Sequence, residues 1–89
     1  MISQHIEILL ADDELADCLL FKEALEELPV SAHLTTVYNG EQLMEEITKK
    51  GKKLPDVLFL DLNMPRKDGF ASLGEIKRST FLQDLPVII

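Results

Sequence analysis

Apolar residues gather in four short runs, and the stretches between the first three and the last carry a helical period. His5 to Asp12, "HIEILLAD", is too brief for a helix and unbroken enough for a strand covered on both faces. From Leu15 onward Cys18, Phe21, Leu25 and Leu28 recur at helical spacing, with Lys22, Glu23, Glu26 and Glu27 opposite, until Pro29 stops the run. "AHLTTVY", Ala32 to Tyr38, is β-branched and aromatic and reads as a second strand, with a turn at Asn39-Gly40. A second helix follows, with Leu43, Met44 and Ile47 on one face. Glu41, Glu45 and Glu46 come early, Lys49 and Lys50 come late, and Gly51 is the stop, an order that suits the helix dipole. Pro55 opens a third strand, "DVLFLD". A third helix is predicted from about Asp68 to Ser79, with Phe70, Leu73 and Ile76 inward and Gly74 weakening it, and "LPVII" is a fourth strand.

A βαβαβαβ string with short connections predicts a parallel sheet with right-handed crossovers and helices on both faces. There is no internal repeat, low-complexity segment or linker, so residues 1–89 read as one domain.

Composition narrows the function. Sixteen acids against nine bases give a net charge of -7, which argues against a nucleic-acid surface. Any phosphate chemistry here needs a cation. The single cysteine, Cys18, cannot form an internal disulfide, and no apolar run nears the length of a membrane span; the expected location is the cytoplasm, with no membrane partner.

Two acidic sites fall in comparable places. Asp12-Asp13 lies at the carboxyl end of the first strand and Asp61 at the carboxyl end of the third. Ligands of open α/β sheets bind outside the carboxyl ends of the strands, where the winding reverses. If these two strands are neighbours, about 4.8 Å apart, three carboxylates meet in one crevice and repel one another. A hard divalent cation with oxygen ligands relieves that repulsion, and Mg²⁺ uses only one or two direct carboxylates while keeping several waters. A strand-tip carboxylate beside a cation, near the helix that begins after Glu14, is placed to be a nucleophile toward phosphorus. The following loop must hold that geometry: Pro65 forces Met64 to be extended, the Asn63 carbonyl can face the metal, and Asp68-Gly69 starts the third helix.

These residues resemble the response-regulator receiver domains of two-component signalling. The likeness rests on "LLADDE" (Leu9 to Glu14), "NGEQL" (Asn39 to Leu43), "PDVLFLDLNMPRKDGF" (Pro55 to Phe70) and "LPVII" (Leu85 to Ile89), in family order and at family spacing. An acid pair combined with a D-x-x-M-P-x-x-x-G type loop about fifty residues later is specific, whereas either half alone is weak. The resemblance implies that Asp61 is the phosphoacceptor and also a ligand of the metal, Asp13 a direct Mg²⁺ ligand, Asp12 an acid acting partly through water, and Asn63 a ligand through its main-chain carbonyl. Pro65 and Gly69 would shape the loop. It further implies a non-enzymatic signalling module that takes its phosphoryl group from a histidine kinase or a histidine phosphotransfer protein.

The implied fold is a flavodoxin-like doubly wound parallel sheet of strand order 2-1-3-4, with the family's fifth strand and last two helices missing. Family members carry a hydroxyl residue at the end of the fourth strand and a lysine at the end of the fifth, and the sequence reaches Ile89 before either. The expectation is the N-terminal portion of a domain of about 120 residues, with self-association through an exposed fourth strand.

Each residue also has an ordinary reading. Asp12, Asp13 and Glu14 alone would be a helix-capping cluster, Asn63 a turn residue, Met64 and Phe70 core, Cys18 a buried small hydrophobe, and "KKGKK" (Lys49 to Lys53) a solvated helix end. His5 and His33 read as solvated and unpaired with any metal site. Three other functions stay open. An unphosphorylated interaction domain of the same fold is one. An aspartate-nucleophile phosphatase usually has a second Asp two residues after the first, where this chain has Asn63. A flavin-binding electron carrier would place Ser, Thr and Gly after the first strand, where this chain is acidic.

Overall fold

The computed structural model describes residues 5–49, 51–64 and 68–89. The expectations for Lys50 and Pro65 lie outside the described residues. The elements run β1 (His5–Ala11), α1 (Leu15–Glu26), β2 (Ser31–Val37), α2 (Gly40–Thr48), β3 (Val57–Leu60), α3 (Gly69–Arg78) and β4 (Val87–Ile88). The strands form one sheet in the order β2-β1-β3-β4, and every pairing is parallel. This is the flavodoxin-like order expected from the sequence, with β1 at the centre and the winding reversing between β1 and β3.

Alternation along β1 divides the apolar residues between two layers. Leu9 and Ala11 join Val37, Leu43, Ile47, Leu58, Leu60, Met64 and Ile76 in the main core beneath α2 and α3. Ile8 and Leu10 turn to the α1 side, where Phe21 packs edge-on against Phe59 with ring centroids 4.9 Å apart.

Helix α1 ends at Glu26, earlier than the periodic run implied. The Glu27 amide donates to Ala24 and the Leu28 amide to Leu25, tightening the last turn and carrying Leu28 off the apolar stripe, so Leu28 is exposed. Helix α2 starts on Asn39, whose side chain accepts from the Gln42 amide at 2.8 Å, while Gln42 Oε1 accepts from the Tyr38 amide. It ends at Thr48, and Gly51, with φ 75°, makes the left-handed turn that follows.

Helix α3 departs from expectation in its facing. Asp68 caps it by accepting from the Ala71 amide, and Gly69, Ser72 and Ile76 are its buried residues. Phe70 stands next to Gly69, one residue or about 100° around the helix, and is 65% exposed. The inward position expected for an aromatic ring is therefore taken by a residue with no side chain.

Candidate functional site

Backbone hydrogen bonds place the acidic residues. The Asp12 amide donates to Val37 O at 3.0 Å and the Asp61 amide to Ala11 O at 2.9 Å, which extends both strand ladders one residue past the ends of β1 and β3. Asp12 and Asp61 are thus fixed at adjacent strand tips, and Asp13 follows directly.

Local turns then orient two of the carboxylates. Asp12 Oδ1 accepts from the Glu14 amide at 2.9 Å, and Asp61 Oδ1 accepts from the Asn63 amide at 2.9 Å. Each turn holds one carboxylate oxygen with a bond two residues ahead, the habit that suits Asp to such places. The second oxygen of each accepts no hydrogen bond from a described residue.

One oxygen from each of Asp12, Asp13 and Asp61 can be chosen so that all three lie within 4.8 Å of one another. Asp12 and Asp61 are half-buried and Asp13 is exposed. Burial pushes the Asp12 carboxyl above its ordinary range; the Glu14 amide opposes the shift, and the charges of Asp61, Asp17 and Asp13 add to it. Three hard oxygen donors, crowded and partly desolvated, fit a divalent cation.

Gly69 is what lets α3 begin against this site. Its amide donates to Leu62 O at 3.1 Å, and a Cβ at this position would overlap the carbonyl oxygen of Asp61 and the Cα of Leu62. Asn63 is exposed and Met64 buried, so the loop after Asp61 is anchored by an apolar side chain one residue past the polar one.

Cys18 is buried and donates to the Asp12 carbonyl, with Sγ 3.6 Å from the oxygen; burial and the nearby acids push its thiol up, which keeps it protonated. A groove of about 370 Å³ opens beside Asp12 and Asp61, lined also by Asp17, Phe21 and Phe59. A larger hollow, about 480 Å³, lies at the opposite, amino ends of the strands, between Glu7, Thr35, Glu46 and Asp56. Among the described residues the one group of three acids, histidines or cysteines close enough to share an ion is Asp12, Asp13 and Asp61, and two of the three line the smaller groove.

Two features had no place in the sequence reading. His5 and His33 are exposed, as expected, but both engage Glu7: His5 Nε2 lies 2.5 Å from Oε2 and His33 Nδ1 2.9 Å from Oε1. The pairing follows from the β1–β2 register, which sets Glu7 opposite His33. Asp17, a third acid on the groove with Asp12 and Asp61, sits in the first turn of α1.

Fold and crevice together define a doubly wound parallel α/β domain with an acidic site at its strand tips. The family model described as the response regulator receiver domain matches residues 8–89, and the chain belongs to that family. It is 34% identical over 86 residues to response regulator Rcp1 of Synechocystis sp., covering 92% of this chain and 58% of that protein. The structure of the phosphorylated cyanobacterial phytochrome response regulator RcpA is similar at a TM-score of 0.87 and 38% identity, over 94% of this chain and 63% of that one. The Mn²⁺-bound form of Rcp1 is similar at a TM-score of 0.87 and 34% identity, over 92% and 62%. The chain spans less than two thirds of the length of each of these relatives. No helix among the described residues is long and apolar enough to cross a membrane.

Proposed function

We propose that this chain is a phosphoacceptor signalling domain in which Asp61 takes a phosphoryl group from the phosphohistidine of a histidine kinase or phosphotransfer protein, in a Mg²⁺-dependent reaction. The observation that carries this reading is the meeting of Asp12, Asp13 and Asp61 within 4.8 Å at the tips of neighbouring strands.

Asp61 Oδ1 is engaged by the Asn63 amide, which leaves Oδ2 to attack phosphorus. The new bond is Oδ2–P; the P–N bond of the donor breaks, and the imidazole nitrogen departs with the electron pair and takes a proton from solvent. Asp13 and Asp61 would hold the cation directly, Asp12 would act partly through water, and the main-chain carbonyl of Asn63 would complete the protein's share. When bound, Mg²⁺ supplies positive charge to the three carboxylates and to the phosphoryl oxygens, the largest electrostatic need of such a transfer. The phosphorylated RcpA and the Mn²⁺-bound Rcp1 support both halves of the reading by similarity.

The test uses phosphoramidate, a small donor with a P–N bond, incubated with the chain and Mg²⁺ and read by intact mass. One added phosphoryl group that needs Mg²⁺ and is lost in Asp61→Asn is expected. A modification that survives Asp61→Asn contradicts the assignment, and no modification even from a phosphorylated kinase favours an unphosphorylated interaction domain of the same fold.

A further inference from the structure

The first turn of α1 carries a carboxylate that the proposed chemistry leaves unused. Asp17 is the third residue of α1, and it lines the groove that Asp12 and Asp61 line. It makes no hydrogen bond or ion pair with a described residue. It is also outside the group of three whose oxygens converge, so it is not placed to coordinate the same ion.

It nonetheless shares the groove with Asp12 and Asp61 and is the third acid on its wall. An ion held by one or two carboxylates keeps several waters, and those waters must donate outward. Acceptors outside the coordination shell fix such waters and add to affinity. The groove's other walls, Phe21, Phe59 and Leu60 among them, offer apolar surface, so Asp17 is the one further carboxylate there.

We propose that Asp17 sets the divalent-cation affinity of the acidic site from outside the coordination shell, as a fixed negative charge accepting from water on the ion. This rests on the metal-dependent reading above. Asp17 is a positioning residue in that sense. The ordinary role for an acid in the first turn of a helix is to meet the unpaired amides there, which stabilises the helix whether or not a cation is bound.

Mg²⁺ titrations of the wild type, Asp17→Asn and Asp17→Glu, followed by amide shifts, separate the two roles. At about 0.01 M KCl, where the screening length is about 30 Å, Asp17→Asn binds Mg²⁺ about threefold or more weakly than wild type, and Asp17→Glu retains wild-type affinity. At about 1 M KCl, where that length falls to about 3 Å, the gap closes. A helix-capping role alone would lower the metal-free unfolding midpoint of Asp17→Asn and leave its Mg²⁺ affinity at the wild-type value in both salts, and that result overturns the inference. A wild type whose residues around Asp13 and Asp61 do not respond to Mg²⁺ overturns the reading of the site itself and the inference with it.

Discussion

The amide of Asp61 donates to the carbonyl of Ala11 at 2.9 Å, so the phosphoacceptor candidate hangs from the residue that immediately precedes the acid pair. One hydrogen bond therefore couples the two halves of the site. Ala11 is fully buried and pairs with Leu60 in the β1–β3 register, which makes the coupling a property of the sheet centre rather than of its loops.

Gly69→Ala is expected to destabilise the chain although alanine is the better helix former. The added Cβ would overlap the Asp61 carbonyl and the Leu62 Cα, which are backbone atoms and cannot swing aside. A cost of about 2 kcal/mol is expected, with the amide resonances of Asp61 and Leu62 displaced. Urea unfolding checks it, and a variant at least as stable as wild type would contradict the close approach.

Ser72→Ala is expected to act in the opposite direction. The Ser72 hydroxyl is wholly buried in α3 and has no hydrogen-bond partner among the described residues. Removing it relieves an unmet polar group and improves helix propensity, so a gain of up to about 1 kcal/mol is expected in the same assay. A loss of more than about 1 kcal/mol would mean the hydroxyl has a partner.

Asp12→Asn should raise the unfolding temperature of the metal-free chain at neutral pH. The folded-state carboxyl is held above its ordinary value, mainly by burial, so its favourable contribution is complete in acid and is lost as pH rises through that raised value. Asparagine keeps the oxygen that accepts from Glu14 and removes the charge. The advantage should disappear below about pH 4, and Mg²⁺ should stabilise the variant less than the wild type.

Glu7→Gln tests the unforeseen cluster on β1. Hydrogen bonds from His33 and His5 hold the Glu7 carboxyl below its ordinary value, so its contribution is present above the usual carboxylate range and is lost as pH falls through the lowered value. The wild type should exceed Glu7→Gln in unfolding temperature at about pH 6, and the difference should vanish by about pH 2. A difference that does not change with pH would show that the pair contributes nothing through its charge.

Element order, strand tips and acid placement were legible because each rests on local chemistry: apolar runs of strand length, turn residues, and acids where a strand must stop. The facing of α3 was not. Phe70 looks like core on hydrophobicity, yet the approach of Gly69 to the Asp61 backbone fixes the helix rotation and turns the ring outward. Leu28 failed for a related reason, since the period continues past Glu26 while the backbone does not. The Glu7 bridge to His33 depends on strand register, and no local signal in either strand specifies which residue lies opposite. At the site, Asp12, Asp13 and Asp61 were readable one by one, whereas the contribution of Asp17 depends on the angle at which α1 leaves the strand tip.

The most direct measurement of the central claim is the position of the phosphoryl group. The chain is incubated with acetyl phosphate and Mg²⁺, reduced with borohydride, which converts an aspartyl phosphate to homoserine, digested, and sequenced by mass spectrometry. Homoserine at position 61, absent when Mg²⁺ is chelated and absent in Asp13→Ala, is the expected result. Homoserine at Asp12, Asp13 or Asp17 with Asp61 intact, or the same yield at position 61 without a divalent cation, would contradict the account.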